Sequence, residues 1–193
     1  MSTLFPVEPA YPEGFQYFPD FISASEETAL YKEATAIELK TFTFQGFEAK
    51  RRVASFGYDY SFDKGQLLKG KEIPQAFHAL IEKVGSKLSV PTHEFAELLV
   101  TEYPVGSVIN WHRDAPPFDL IAGISLMSDC IFKLRPYEKS KQGRNVVIAF
   151  PVKRRSLYVI HGPARTDWQH SIAPVKHIRY SITLRTLKGY IRD

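Results

Sequence analysis

Arg179-Tyr180-Ser181-Ile182-Thr183-Leu184-Arg185 alternates without a break. With Ile178 added, Ile178, Tyr180, Ile182 and Leu184 fall on one side of an extended chain, and Arg179, Ser181, Thr183 and Arg185 on the other. Two readings are open. In the first, an amphipathic strand turns its polar side to water. In the second, the polar side faces the inside of a barrel, where each arginine requires an anion because an unpaired buried charge is very costly. A planar guanidinium grips a carboxylate with two parallel hydrogen bonds. Ser181 and Thr183, small hydroxyls between the arginines, leave room for a ligand and can orient it. A dicarboxylate such as 2-oxoglutarate fits the second reading, and Tyr103 on an earlier strand can add a hydroxyl.

Working outward, the chain from Phe95 on is a succession of short β-rich runs: Ala96 to Tyr103, Ser107 to His112, Asp119 to Met127, Cys130 to Leu134, Val146 to Phe150, Ser156 to His161, Trp168 to Ile172 and Arg179 to Leu187. Turn signals such as Pro104-Val105-Gly106, Pro116-Pro117 and Gly162-Pro163 separate them. That spacing predicts a sandwich or barrel. The first twenty residues hold four prolines and read as an extended arm. Ser23-Ala24-Ser25-Glu26 reads as a capping box opening a helix to about Leu39. Thr41 to Tyr60 alternates, rich in aromatics, as a hairpin would. Pro74 opens a second helix, with Phe77, Leu80, Ile81, Val84 and Leu88 on its buried face. The expectation is one mainly β domain with flanking helices (α+β): arm 1–20, helices and hairpin 21–94, and a β core 95–187, the helices packed outside one sheet.

His112 and Asp114 are two apart, on one face if extended. Two histidines and one carboxylate, leaving open positions, form the triad of non-heme Fe(II) oxygenases. The third ligand comes from His161 or His170, and spacing alone does not choose between them. His78, on the second helix, and His93, after a proline, read as ordinary. His177 lies in a polar turn.

The composition is that of a globular protein: 44% hydrophobic and 24% charged over 193 residues. No apolar run is long enough to cross a bilayer. The start has neither the basic nor the apolar features of a signal peptide. The single cysteine, Cys130, fits a reducing compartment and a packing role. A cytoplasmic monomer with no membrane association is expected. The net charge is +4, and the cations cluster at Lys50-Arg51-Arg52, Lys133 with Arg135, Lys139 to Arg144, and Lys153-Arg154-Arg155. Such clusters are either solvated loops or a footprint for a polyanion.

Taken together, His112-Arg113-Asp114, His170 and the Arg179–Arg185 run resemble the AlkB-like family of Fe(II)/2-oxoglutarate dioxygenases. The family motif is Arg-x-Asn-x-Thr-x-Arg, so Ser181 stands where asparagine is usual. Tyr103 lies nine residues before His112, the offset of the family's 2-oxoglutarate-binding tyrosine, although Thr101 stands where asparagine is common. The resemblance covers residues 95–187 well and extends to Arg51–Tyr58, which looks like the family's substrate-side segment.

It implies a double-stranded β-helix (jelly roll) with Fe(II) held by His112, Asp114 and His170. Tyr103, Arg179, Ser181, Thr183 and Arg185 are then the co-substrate residues, with Arg185 facing either co-substrate or substrate. O2 and 2-oxoglutarate are consumed, succinate and carbon dioxide released, and a substrate C–H bond hydroxylated. On an N-methyl group the hydroxymethyl product collapses to formaldehyde and the free amine.

The best-known members oxidise N-alkylated bases in DNA or RNA. Arg51, Arg52, Phe56, Tyr58, Tyr60 and Trp111 are the candidates at the substrate mouth, although Phe56 also reads as core and the two tyrosines as packing. Repair members carry an acidic residue near the position of Pro116, which this chain lacks. The alternatives are a hydroxylase or demethylase of protein or a small molecule, and a non-catalytic nucleic-acid-binding module that keeps the barrel.

Overall fold

The computed structural model describes residues 10–44, 47–62, 64–143 and 146–189. The expected arm up to residue 9, the tip of the hairpin at 45–46 and Arg144 lie outside the described residues. Twelve strands are described: β1 (Phe15–Phe18), β2 (Lys40–Phe44), β3 (Phe47–Ser61), β4 (Gln66–Lys69), β5 (Phe95–Tyr103), β6 (Ile109–His112), β7 (Phe118–Leu126), β8 (Cys130–Pro136), β9 (Ile148–Val152), β10 (Leu157–Ile160), β11 (Trp168–Ile172) and β12 (Arg179–Leu187). Three α-helices accompany them: α1 (Ala24–Ala36), α2 (His78–Leu88) and α3 (Gly162–Thr166). The major sheet runs β1-β10-β7-β12-β5-β3-β2, with β4 on β3, and the minor sheet runs β6-β11-β8-β9. All described pairings are antiparallel. Two sheets stacked in this order make a jelly roll, with the helices outside the major sheet.

Alternation in β12 decides what lies on each side of that sheet. Tyr180, Ile182 and Leu184 join Leu98 and Val100 of β5 in a core closed by Leu30 and Ala34 of α1 and Leu80, Ile81 and Val84 of α2. Arg179, Ser181 and Thr183, on the other side, are buried as well. The polar side therefore faces the space between the sheets, not water. A second core of Phe15, Phe118, Phe132, Phe150, Tyr158 and Ile160 fills that space and reaches the polar residues where Phe118 lies under Arg185 (5.2 Å).

The local signals work as the residues dictate. Ser23 Oγ accepts from Glu26 N (3.2 Å), and Glu26 Oε2 accepts from Ser23 N (2.7 Å), so the capping box starts α1. The helix stops at Ala36, short of Leu39, because Ile37 is already extended. Glu27, buried on α1, accepts from Arg154 (2.5 Å) and Met127 N (2.8 Å), tying the helix to the strand connections beneath it. Pro74 precedes a 3-10 turn, and α2 begins only at His78.

Three expectations change. The arm is extended but not separate from the domain: Phe15–Phe18 pairs with β10 as an edge strand, with Phe15 packed against Phe132 and Phe150. Gly162-Pro163 is not a plain turn but opens α3, with proline in the first turn, where its missing N–H costs nothing. Strand β4 was not expected. At Gly57 (φ 81°) β3 parts from β5 and turns onto β4, and a Cβ at Gly57 would stand 2.2 Å from Ala96 O.

Gly123 of β7 lies opposite Tyr158 of β10, and a Cβ there would stand 2.2 Å from the tyrosine ring. Gly123→Ala is therefore expected to lower stability by roughly 1–3 kcal/mol through overpacking. Tyr158→Leu in the same chain should recover part of that loss. Urea unfolding of both single variants and the double measures the coupling, and strictly additive losses would refute the packing account.

Candidate active site

The minor sheet brings two histidines face to face. His112 of β6 and His170 of β11 are register partners, with ring centroids 4.2 Å apart. The β6–β11 ladder slips between Ile109 and His112, and both residues still pair with the inward positions Ile172 and His170. Asp114 follows directly after β6, its Oδ2 3.5 Å from His170 Nε2. One ligand atom from each of the three lies within 4.8 Å of the others, a spacing that fits one ion. His161 instead faces Gln16 across the β1–β10 edge (3.5 Å) and is not in the group.

Each ligand is held from behind. His112 Nδ1 donates to Asn110 O (2.8 Å), which puts its proton there and leaves Nε2 for a metal. The His170 ring stacks on Phe132 at 5.4 Å. Arg185 donates through Nε (3.1 Å) and Nη2 (2.7 Å) to Asp114 Oδ1 alone. Its Nη1 donates to Glu97 Oε2 (2.5 Å), and Ser55 Oγ donates to Glu97 Oε1 (2.8 Å). Arg165 Nη2 donates to the carbonyls of Asp114, Ala115 and Phe118 (3.0, 2.7 and 3.1 Å), pinning the chain just after the carboxylate.

The electrostatics favour a cation. Burial, reinforced by the facing imidazole, pushes His170 down to about 3, and burial also lowers His112. Burial alone would raise Asp114, but Arg185, with the two histidines, holds it below the ordinary carboxylate range. The trio is thus two neutral imidazoles and one carboxylate at neutral pH. Asp114 Oδ2 is buried without a hydrogen-bond partner.

A second set of orphaned atoms sits across the cavity. Arg179 is fully buried, and its Nε donates to Ser125 Oγ (2.9 Å) while Nη1 and Nη2 have no hydrogen-bond partner. Its guanidinium lies 4.7 Å from the Tyr103 ring centroid, and the Tyr103 hydroxyl is 3.3 Å from Ser181 Oγ. Thr183 lies on the same inner side of β12. Two buried nitrogen donors without a protein partner fit a ligand carboxylate, as the bare Asp114 oxygen fits a divalent ion.

Several candidates are displaced. Arg185 does not present its fork to a co-substrate, because two carboxylates of the protein already occupy it. Arg52 does not face the cavity: it pairs with Glu102 (2.5 Å), and strand alternation sends it to the side opposite Arg51. Phe56 is no platform, since it is buried in the helix-side core. Trp111 is beside His112 in sequence but on the other face, under Arg135 (4.4 Å), which donates through Nε to Gln169 Oε1 of β11.

Arg51 stays with the site: it lies over Phe42 (4.0 Å), and its charge contributes to lowering His112. Tyr58 and Tyr60 lie beyond Gly57, where Tyr60 packs with Leu67 against the inter-sheet core. The cluster Lys153-Arg154-Arg155 is no polyanion footprint, being paired with Asp129, Glu27 and Asp20. Sequence reasoning missed Glu97, Ser125 and Arg165. Counting in twos from Tyr103 would have reached Glu97, whereas nothing in the sequence marks the other two.

A jelly roll with a two-histidine, one-carboxylate site and a buried guanidinium defines a non-heme iron oxygenase. The profile of the 2OG-Fe(II) oxygenase superfamily matches residues 14–185, and the chain belongs to that family. Its reaction uses Fe(II), 2-oxoglutarate and O2. The mouse tRNA (carboxymethyluridine(34)-5-O)-methyltransferase ALKBH8 is 29% identical over 173 residues, 86% of this chain and 25% of that protein. The Arabidopsis thaliana alkylated DNA repair protein ALKBH8 homolog is 27% identical over 180 residues, 82% of this chain and 50% of that protein. This chain spans a quarter to a half of the length of these relatives. The structure of OsALKBH1 superimposes with a TM-score of 0.73 at 11% identity, covering 94% of this chain and all of the other. The chain is thus AlkB-like within its superfamily.

Both half-buried imidazoles bind protons less readily when folded than when unfolded. Below an ordinary histidine value of about 6.5 the unfolded chain takes up protons that the folded one refuses. Their contribution is complete above about pH 6.5 and is lost as the pH falls toward His170's value of about 3. The metal-free protein is expected to lose stability between about pH 6.5 and 5, by up to roughly 1.4 kcal/mol per pH unit for each histidine. Urea midpoints across that range test this, with His170→Asn expected to flatten the slope.

Proposed function

We propose that the protein oxidatively demethylates N-alkylated bases in DNA or RNA. The observation that carries the reading is Arg51 of β3, whose guanidinium lies over the Phe42 ring of β2 (4.0 Å), with Tyr58 further along the same strand. A cation and aromatic rings at the mouth of an oxidising site suit a flipped or single-stranded base with its phosphates. The names of the two relatives point the same way, one to tRNA and the other to alkylated DNA.

In this reading His112, Asp114 and His170 hold the iron, and Arg179 receives the far carboxylate of 2-oxoglutarate. Tyr103, Ser181 and Thr183 line the same wall and orient that carboxylate. Bound iron and 2-oxoglutarate together supply the oxidising chemistry. Glu97 and Arg185 fix Asp114 through Oδ1, so its second oxygen stays directed into the site. Arg179 is fully buried, so a carboxylate bound there would be shielded from water. One oxygen atom of O2 ends in succinate and the other on the methyl carbon, and the hydroxymethyl group leaves as formaldehyde with its proton returned to the base nitrogen. A cytoplasmic, monomeric enzyme belongs to the same proposal.

A second reading, a hydroxylase or demethylase of protein or a small molecule, is favoured by one observation. The segment after Asp114 is Ala115-Pro116-Pro117, tied down by Arg165, with no acid where repair members read the base.

Oligonucleotides carrying 1-methyladenine or 3-methylcytosine are expected to release formaldehyde in step with succinate, and His112→Ala or Asp114→Ala to abolish both. Iron-dependent succinate without formaldehyde, on single and double strands alike, would move the assignment to the second reading. Arg179→Ala is expected to weaken 2-oxoglutarate binding at least 30-fold or so, about 2 kcal/mol. Titration calorimetry checks it, and an unchanged affinity would place the carboxylate elsewhere.

A further inference from the structure

We propose that the outer face of the minor sheet is a second binding surface, one that holds a single-stranded nucleic acid beside the site entrance. The proposal rests on the nucleic-acid reading of the substrate and adds a place for the nucleotides flanking the reacting one.

Two guanidinium groups lie over aromatic rings there. Arg113 sits 3.6 Å from the Tyr137 centroid, and Arg135 sits 4.4 Å from that of Trp111. Each fork is fixed by one bond: Arg113 Nη1 donates to Thr166 O (2.7 Å), and Arg135 Nε donates to Gln169 Oε1 (2.9 Å). A guanidinium carries five N–H donors, so the outer edges of both forks are left for acceptors such as phosphate oxygens. With an aromatic ring beneath it, the exposed plane of the guanidinium is a platform on which a base can stack.

Beside these stacks is a concavity of about 280 Å³, walled by Arg135, Tyr137, Glu138, Lys139, Gln142 and Gln169. Its wall is held in shape by Gln142 Nε2, which donates to Pro136 O (2.9 Å) and Tyr137 O (3.1 Å). The acid at its rim, Glu138, is paired with Lys141 (2.6 Å). Lys133 alternates with Arg135 along β8 and adds charge to the same face. Cations over flat rings, with the nearby carboxylate already paired, match a strand of phosphates and bases. An acidic peptide would satisfy the charge and leave the stacked planes unused.

The position relative to the iron site is what makes the surface useful. β6 is the terminal strand of the minor sheet, and among the described residues no further strand pairs with its outer edge. Trp111 lies on its outer face and His112 on its inner face. A strand that crosses this edge would lay one base toward the metal ligands while its neighbours rest on Arg135 and Arg113. Of the basic clusters, this one is largely left unpaired by the fold, whereas Arg154 and Arg52 are spent on buried acids.

The test is fluorescence anisotropy with the anaerobic protein carrying Fe(II) and 2-oxoglutarate. The probes are an unmodified oligo-dT of about twenty nucleotides and one of about three, which reaches only the iron site. Arg135→Gln and Tyr137→Ala are each expected to weaken the long oligomer roughly 5- to 100-fold and to leave the short one unchanged. Arg135→Gln should also lower the salt slope by about 0.7, the value for one phosphate of a single strand. Arg135→Lys, which keeps charge without a plane, should lose affinity with the slope retained.

Wild-type affinity in these variants overturns the proposal. So does an equal loss for both oligomers, or displacement of the long one by polyglutamate as readily as by unlabelled oligo-dT. A wild-type protein that does not bind the long oligomer at low salt also overturns it. Formaldehyde release from a methylated trinucleotide reports on the demethylase reading separately, so either idea can fail while the other stands.

Discussion

A guanidinium inside a protein demands an anion, and β12 carries two of them into the space between the sheets. The organisation of the inner half of the molecule follows from how each demand is met. Arg185 is answered by the chain itself, with Glu97 on one side and Asp114 on the other. Arg179 is answered only by the Ser125 hydroxyl and the flanking Tyr103 ring, leaving two donors for something the chain does not supply. One arginine holds the carboxylate beside the two histidines and the other keeps two buried donors without a hydrogen-bond partner, although a sequence shows them as equivalent ends of one motif.

The same pairing sets the charge of the metal site. Because Arg185 keeps Asp114 ionised and burial keeps both imidazoles neutral, the trio presents one negative charge and two lone pairs at neutral pH. Arg185 engages Oδ1 alone, so the other oxygen stays buried and bare. Removing either carboxylate partner would leave the buried guanidinium of Arg185 to the other one alone and would break the tie between Glu97 and Asp114. Stability of the sandwich and competence of the site therefore rest on the same few side chains. Outside the sandwich, Glu27 and Arg154 do related work, fastening α1 to the sheet and using up a basic cluster that sequence inspection had left open to polyanions.

Much of the architecture was legible because it depends on periodicity. The eight strands from Phe95 on, the capping box at Ser23 and the buried face of α2 all follow from spacing that backbone geometry enforces. The misreadings share one cause: neighbours in sequence were grouped as neighbours in space. Arg51 and Arg52 part to opposite faces of β3, and Trp111 and His112 to opposite faces of β6. Phe56 follows Arg52 to the helix side. The edge strand at Phe15 was hidden because its pairing energy comes from β10, which is about 140 residues away in the chain, and from aromatic contacts no local window contains.

What the sequence determined by itself was chemistry and parity: which residues could ligate a metal, and which side chains of one strand share a face. Those depend on residue type and on a backbone repeat of two, both local. What only the tertiary structure decided was which groups meet. It chose His170 over His161, turned Arg185 toward Asp114 and Glu97, left Arg179 open, and set aromatic-backed arginines outside β6. Those outcomes depend on sheet order and register, which are properties of distant strands packing together.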